Sequence, residues 1–404
     1  MSLSCKSTIS ILLNFAIFVF GFSLSVSVGL QAIAMVLWLV LALLSIDVRP
    51  KILEGLKNEV VWGALLFFGI FLLGTLWSKA SHKDVVHMLT KMDIFLIFPI
   101  IYATMYDVSC KKSLYIGFAI GVMLSVVLSL LSHVLHNDFY TERGIYFLYD
   151  KRVTHIFHGH TYQNYFAGLF ITGLIALLLT KSLSKWQIAG SIILILLCGW
   201  DIFFVVGGRG GQILFVLMLI LLFLQWRIKI GLLISGVILL VVLPMLMFFS
   251  PVIKKSLDMY HSDISQYKQG NSNTSMGYRL DFHNNSMLLI KRALWFGHGT
   301  GSFNYEYAQL KSNAITTNPH NDYLWIAIEL GLFGLAVFII WLGIDLFYAY
   351  LAFTPYNYLA IILIVTYIVA CLQNSFFSDR ITGEAFVAFL ASFLAGTRDK
   401  NTMK

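Results

Sequence analysis

Residues 230–249 read IGLLISGVILLVVLPMLMFF and contain no charged side chain. A helix of this length is about 30 Å long, which matches the hydrocarbon core of a bilayer. Apolar runs of similar length recur along the chain from Ile9 to Ala395. The sequence therefore predicts an all-α, polytopic membrane protein.

The overall composition leads to the same fold class. Of the 404 residues, 58% are hydrophobic and 12% are charged, and the mean hydropathy is +0.80. Soluble globular domains carry roughly a quarter charged residues, so a soluble protein is excluded. The net charge of +8 is spread over short segments between apolar runs and forms no basic domain, so we expect no nucleic-acid partner. A single integral membrane domain over 1–404 is predicted.

Hydropathy predicts about 12 transmembrane helices. They lie near residues 9–28, 30–46, 60–77, 92–106, 113–132, 161–180, 186–206, 211–226, 230–249, 332–352, 356–373 and 383–396. With the N-terminus in the cytoplasm, nearly every inside loop carries two or three cations, for example Lys111 and Lys112, or Arg227 and Lys229. The positive-inside rule favours this orientation, in which both termini are cytoplasmic.

Two predicted outside segments are long, 133–160 and 250–320, and loops of that size are usually functional or disordered. We expect the second, a large periplasmic loop between spans 9 and 10, to be partly helical, because residues 277–296 carry apolar side chains at helical spacing. The first contains a histidine cluster, His155-x-x-His158-x-His160. Its spacings of three and two differ from a helical i, i+4 zinc pair, so substrate-contacting or interfacial histidines are favoured over a metal site.

The turn between the seventh and eighth spans has glycines on both sides of one arginine. It reads Gly207-Gly208-Arg209-Gly210-Gly211-Gln212. The glycines allow the backbone to approach a ligand closely, and a guanidinium grips phosphate with two parallel hydrogen bonds. The pattern suits a diphosphate at the membrane surface. The alternative is a tight turn whose interfacial arginine reaches the lipid headgroups.

A second arginine, Arg279, lies at the start of the predicted loop helix. A cation in the first turn is unfavourable for the helix dipole, so an anionic group is expected nearby. That group is either an anionic ligand or a carboxylate, with Asp281 and Glu306 as candidates.

Farther along, a polar stretch precedes an apolar helix. It reads Asn318-Pro319-His320-Asn321-Asp322-Tyr323-Leu324, and Glu329 and the break Gly331-Leu332-Phe333-Gly334 follow. Asn321 or Asp322 can cap the helix, which fixes His320 at its mouth. A histidine there can act as a general base near neutral pH, or it can simply sit among headgroups.

The glycine-rich stretch 297–303 follows a helix and lacks the P-loop lysine, so we interpret it as a turn and not as a nucleotide site. His298 either lines a site or has a simple role in that loop.

These residues resemble those of the O-antigen ligases, in the superfamily that also includes O-antigen polymerases and protein O-oligosaccharyltransferases. The resemblance covers essentially the whole chain in span count and loop placement. It is sharpest over 207–212, 276–303 and 319–334, and above all at His320–Leu324 with Glu329–Gly334.

The resemblance implies transfer of a glycan from undecaprenyl diphosphate to a lipid A-core acceptor at the periplasmic face of the bacterial inner membrane. Neither a metal nor another cofactor is implied. Arg209 and Arg279 match the family arginines that neutralise the diphosphate, and His320 matches the general base, so inversion at the anomeric carbon is expected. Lys79 is a looser match to a basic residue after span three. Further candidates for substrate contacts are Gln212, His298, Asn321 and Asp322.

Other functions stay open at this point. A polymerase or a protein O-oligosaccharyltransferase shares the loop plan, although oligosaccharyltransferases tend to be longer at the C-terminus, and ligase is the preferred member. A lipid-linked glycan flippase or transporter also has about this many spans, and needs polar groups at mid-membrane. Asp93 and Glu329 lie near predicted span ends, whereas Asp201 and Asp345 fall inside spans.

Overall fold

The computed structural model of the protein describes residues 3–134, 157, 159–310 and 316–396, with side chains from residue 8 onward. His155 and His158 of the predicted histidine cluster, and most of the segment 133–160, lie outside the described residues. The described chain is helical and contains no strand, which confirms the predicted fold class.

The helices follow one another with short connections. They are α1 Leu3–Ser23, α2 Val28–Leu44, α3 Arg49–Gly55, α4 Glu59–Gly74, α5 His82–Thr104, α6 Val108–Val134, α7 His160–Thr180, α8 Lys185–Val205, α9 Arg209–Trp226, α10 Ile228–Phe249, α11 Pro251–Lys268, α12 Ser275–Arg292, α13 Phe303–Gln309, α14 Asp322–Leu351, α15 Tyr356–Gln373 and α16 Arg380–Leu394. Helices α8 and α10 each contain a π turn, at Asp201–Val205 and Ile238–Val242.

Each predicted span coincides with a helix, namely α1, α2, α4–α10 and α14–α16, but the count of 12 is not confirmed. Eight helices of the described chain are long and apolar enough to cross a membrane, and the pair α2–α3, bent by 100°, makes a ninth if it is one span. Helices α1 and α4 are shorter apolar helices. Helix α5 begins ten residues before its predicted start, at a cap in which the Asp84 N–H donates to Ser81 Oγ (3.2 Å).

Helix α16 is enclosed by protein. All its residues from Ile381 to Leu394 are buried, and it packs against α2, α5 and α15. It can therefore carry a buried charge in its second turn: Glu384 pairs with Arg380 and accepts a hydrogen bond from Gln31 Nε2 (2.8 Å). Such a helix need not be apolar enough to face lipid by itself.

The predicted large loop contains three helices in its described part, α11, α12 and α13. Helix α12 ends at Arg292, four residues before the predicted end, because the following segment leaves the helix and enters a break in α14. That break lies at Gly331 (φ 67°, ψ −168°), within the predicted glycine pair. The N–H groups of His298 and Gly299 donate to the carbonyls of Ile328 and Glu329 at 2.9 and 2.8 Å, and those of Leu332 and Phe333 donate to Leu294 and Trp295.

These hydrogen bonds interlock the glycine-rich turn with the break in α14, and glycine is required on both sides of this interlock. A Cβ on Gly297 (φ 65°) would lie 2.4 Å from the Glu329 backbone, and one on Gly331 would lie 2.3 Å from that of Trp295. The glycine-rich turn also contacts the α4–α5 connection, where the Thr300 N–H donates to the Gly74 carbonyl (3.1 Å). The stretch 297–301 is thus a turn, as predicted, and it fixes the helices of the predicted loop to α4 and α14.

This interlock gives a stability prediction. Gly297→Ala should lower the free energy of unfolding by about 2–5 kcal/mol, because it adds both left-handed backbone strain and overpacking. The measurement is the thermal unfolding midpoint of the purified protein in detergent. Gly343→Ala is the matched control, since Gly343 also lies in α14 and its added Cβ would meet nothing within 4 Å. Equal midpoints for both variants would contradict the interlock.

Candidate functional site

Arg209 is the first residue of α9, where the helix packs tightly against α7. Gly208 adopts a left-handed backbone (φ 118°), and a Cβ there would lie 2.5 Å from the ring of His160. A Cβ on Gly211 would lie 2.7 Å from the Thr161 carbonyl, so the glycines serve this helix contact. Asn164 Nδ2 donates to the Gly207 carbonyl at 3.1 Å. No side chain caps α9, and its first N–H groups, which lack helical partners, favour an anion there.

The side chain of Arg209 extends over α11. Its Nη1 donates to the Ser256 carbonyl (3.2 Å), and its guanidinium lies 5.7 Å from the centre of the Tyr260 ring. These contacts orient the group without neutralising its charge.

Arg279 lies in the second turn of α12, close to Arg209. The enclosing protein atoms and then the charge of Arg209 lower the pKa of the Arg279 guanidinium, although its side chain stays open to solvent. The predicted carboxylate partners are engaged elsewhere: Asp281 accepts from the Tyr267 hydroxyl (3.3 Å), and Glu306 lies 3.5 Å from His298. Within the described residues, neither arginine has a carboxylate within 4 Å. Two neighbouring cations without a counterion are therefore open to an anionic ligand.

His160 joins this group from the first turn of α7. Its ring lies beside Gly208, the residue before Arg209, since a Cβ on that glycine would be 2.5 Å from it. It is the one member of the predicted histidine cluster that the structure describes.

His320 is held at the mouth of α14 in a left-handed backbone conformation (φ 54°), which costs a residue other than glycine of order 1–3 kcal/mol. Asn318 Oδ1 accepts from the His320 N–H (2.7 Å) and from Ser375 Oγ (2.6 Å). The imidazole stacks on Phe282 with ring centres 5.8 Å apart. Because Phe282 is one turn after Arg279 on α12, this stacking brings the histidine to the arginine face of that helix.

A second asparagine sets the tautomer of His320. The Asn374 Oδ1 atom lies 3.0 Å from His320 Nδ1. Since an amide oxygen only accepts, Nδ1 carries the proton, and Nε2 keeps its lone pair. A histidine in this tautomer can take a proton at Nε2.

Asn321 and Asp322, the two residues predicted as possible caps of α14, have different roles. Asn321 caps α14, because its Oδ1 accepts from the Leu324 N–H (3.0 Å). Asp322 is buried and instead accepts from the Phe377 N–H (2.8 Å) and from Ser378 Oγ (2.6 Å). It thereby holds the turn that presents Asn374 to the histidine. Whether either residue contacts substrate stays a prediction.

The other two candidates for substrate contact bond to protein. Gln212 Nε2 donates to the Ile202 carbonyl in the π turn of α8 (2.8 Å). His298 Nε2 donates to the Leu289 carbonyl (2.9 Å). Both side chains support the walls of the site in these contacts, and their proposed substrate contacts stay predictions.

Sequence reasoning missed Asn374, Asn318 and the stacking of Phe282. Asn374 is 54 residues from His320 in sequence, in an ordinary polar turn, so no spacing rule joins the two. Phe282 was recognised only as part of an apolar helical face. The best available signal was Asn318, which precedes the histidine by two residues, a common spacing for a side chain that binds backbone.

The described residues contain no group of three His, Cys, Asp or Glu side chains placed to hold a metal ion. The charged groups of the site are instead Arg209 and Arg279.

Comparison with known proteins connects this site to a family. Residues 194–339, which include Arg209, Arg279 and His320, match the family model described as O-antigen ligase. The match supports the superfamily of O-antigen ligases and polymerases, and its members are glycosyltransferase-like enzymes. An uncharacterized protein of Haemophilus influenzae is 33% identical over 104 residues, which cover 24% of this chain and 26% of that protein. The chain thus matches about a quarter of that relative's length.

Proposed function

We propose that this membrane protein, whose residues 194–339 match the O-antigen ligase family, is an O-antigen ligase. In this function it transfers a glycan from undecaprenyl diphosphate to a lipid A-core acceptor. The transfer takes place at the periplasmic face of the bacterial inner membrane. The observation that carries the proposal is the pair Arg209 and Arg279, which have no carboxylate partner among the described residues, beside a histidine whose Nε2 keeps its lone pair.

The arginines supply the charge that the donor needs. A lipid diphosphate is a leaving group whose negative charge grows as the glycosidic bond breaks, and fixed cations stabilise that transition state more than the ground state. The uncapped N-terminus of α9 adds N–H groups that point toward the same anion. Each guanidinium can bind the phosphate oxygens with two hydrogen bonds.

His320 activates the acceptor. Its Nε2 takes the proton of the acceptor hydroxyl while that oxygen forms a bond to the anomeric carbon of the donor. The bond from that carbon to the diphosphate oxygen breaks, and its electron pair leaves with undecaprenyl diphosphate. One displacement of this kind inverts the anomeric configuration. The Nδ1–H bond to Asn374 (3.0 Å) stabilises the imidazolium that forms, as an orienting acceptor does in other histidine bases.

The test is glycan transfer by the purified protein in lipid nanodiscs. The donor is an undecaprenyl-diphosphate-linked glycan, and three acceptors are compared: lipid A-core, a second lipid-linked glycan, and a serine-containing peptide. We expect transfer to lipid A-core, and we expect it to persist in EDTA because two arginines carry the electrostatic role. Product on the second lipid-linked glycan alone would indicate a polymerase, and product on the peptide would indicate a protein O-oligosaccharyltransferase.

Absence of transfer to every acceptor, together with movement of the lipid-linked glycan across the bilayer, would contradict the enzyme and indicate a flippase. Loss of transfer in EDTA, with recovery on adding a divalent cation, would contradict the role given to the arginines.

A further inference from the structure

A polar cavity of about 280 Å³ lies against the residues that hold His320. It is formed by α5, the first turn of α7 and the turn between α15 and α16. Asn318 and Asn374, the two partners of the histidine, belong to its wall. A smaller cavity of about 140 Å³ continues it toward Trp325 and shares His87, Lys91 and Asn318 with it.

Lys91 is the central cation of both cavities. Its ammonium lies 4.4 Å from the centre of the Trp325 ring, and no carboxylate lies within 4 Å of it among the described residues. The other charged groups of the wall have partners. Arg380 pairs with Asp93 (3.0 Å) and with Glu384, and Asp379 accepts from Tyr162 Oη (3.2 Å). In the part of the chain that the structure describes, no protein group therefore uses the N–H donors of Lys91.

The chemistry of the wall favours a sugar over the other parts of the substrates. A diphosphate is disfavoured because Asp379, Asp84 and Glu329 contribute negative charge. An isoprenoid chain is disfavoured because, among the described residues, no aliphatic side chain such as leucine or valine lines the larger cavity. Hydroxyl groups of a sugar both donate and accept, and the wall offers amides, carboxylates, hydroxyls and an ammonium. A cavity near the small end of ligand sites, about 300–1,000 Å³, suits one or two sugar rings.

We propose that this cavity binds a sugar ring of the acceptor, with Lys91 donating to its hydroxyl groups. This inference rests on the proposed function. The donor sugar is bonded directly to the diphosphate and so lies beside Arg209 and Arg279, on α9 and α12. An attacking hydroxyl must approach from the side opposite the leaving group. The cavity fits this approach because it is formed by helices other than α9 and α12 and lies across the wall of Asn318 and Asn374 from them.

Steady-state transfer tests the assignment. Lys91→Met keeps the length of the side chain and its packing on Trp325 but removes the charge and the donors. It should raise the KM for lipid A-core about 10- to 100-fold, the effect of losing a hydrogen bond from a charged group. The donor KM and kcat should change little. Lys83→Met, at an exposed position of the same helix outside both cavities, should behave like wild type. An unchanged acceptor KM, or a rise in the donor KM alone, would overturn the assignment.

A binding measurement keeps the inference independent of catalysis. Thr90 is exposed in the cavity wall, so Thr90→Cys, in a protein whose native cysteines are replaced by alanine, provides a thiol for a maleimide reagent. The oligosaccharide released from lipid A-core should slow its labelling, whereas undecaprenyl diphosphate should not. If the oligosaccharide slows labelling but the wild type transfers no glycan, the sugar site is supported and only the proposed reaction is contradicted. Transfer by wild type without protection would overturn the sugar site.

Discussion

His320→Ala should produce a folded protein that binds the lipid-linked donor but transfers almost no glycan. A sugar hydroxyl is a weak nucleophile, and a positioned general base contributes about 10²- to 10⁴-fold to such a step. The loss should fall on kcat, because the donor diphosphate is held by other residues.

A second variant is needed because the backbone at residue 320 is left-handed. Alanine there keeps the backbone strain but loses the side-chain hydrogen bond that helps to hold this conformation. His320→Asn is that variant, since asparagine adopts this conformation more readily than most residues. Both variants should lose transfer to a similar extent, and His320→Asn should keep a normal unfolding midpoint. Asn374→Ala should give a smaller loss of kcat, because the base remains but its tautomer is no longer fixed. Near-wild-type transfer by well-expressed His320→Asn would contradict the base.

Arg209→Ala and Arg279→Ala should each lower transfer by about 10²- to 10³-fold, the usual effect of removing one group that stabilises developing negative charge. Both kcat and the affinity for undecaprenyl diphosphate should decrease, because the diphosphate is present in donor and in product. Lysine at either position should restore part of the activity, because it keeps the positive charge but cannot form the bidentate contact with phosphate.

Arg292→Ala is the matched control for the arginines. Arg292 is exposed in the last turn of α12, the helix that carries Arg279, and its loss should leave transfer unchanged. Transfer is measured with a labelled donor, and affinity for undecaprenyl diphosphate by inhibition of that transfer. Full activity of both alanine variants at normal expression would contradict the proposed leaving-group site.

Much of this organisation could be predicted from the sequence, because the strongest signals are local. Long apolar runs placed the helices, and the glycines around Arg209 marked the start of α9. The cap at Asn321 fixed the position of His320, and the glycine pair Gly331 and Gly334 marked the break in α14. Each of these features depends on residues within about ten positions of one another.

The rest depends on contacts between distant parts of the chain. The glycine-rich turn fits into the break at Gly331, and neither segment alone shows that it has a partner. Helix α16 can contain the charged Glu384 because protein encloses it, and this enclosure depends on the neighbouring helices. The tautomer of His320 follows from Asn374, which a turn held by Asp322 brings to it.

The turn held by Asp322 also determines when the site is completed as the chain is synthesised. Arg209 and Arg279 are translated before α14, and the interlock with α14 can form as soon as that helix has entered the membrane. The bond from His320 to Asn374, in contrast, requires α15 to be in place and the chain to have emerged through Ser378, which Asp322 holds. The arginines of the proposed phosphate site are therefore in place before the proposed base is oriented. In a chain that stops before α15, both arginines are present, but the tautomer of His320 is not yet fixed by Asn374.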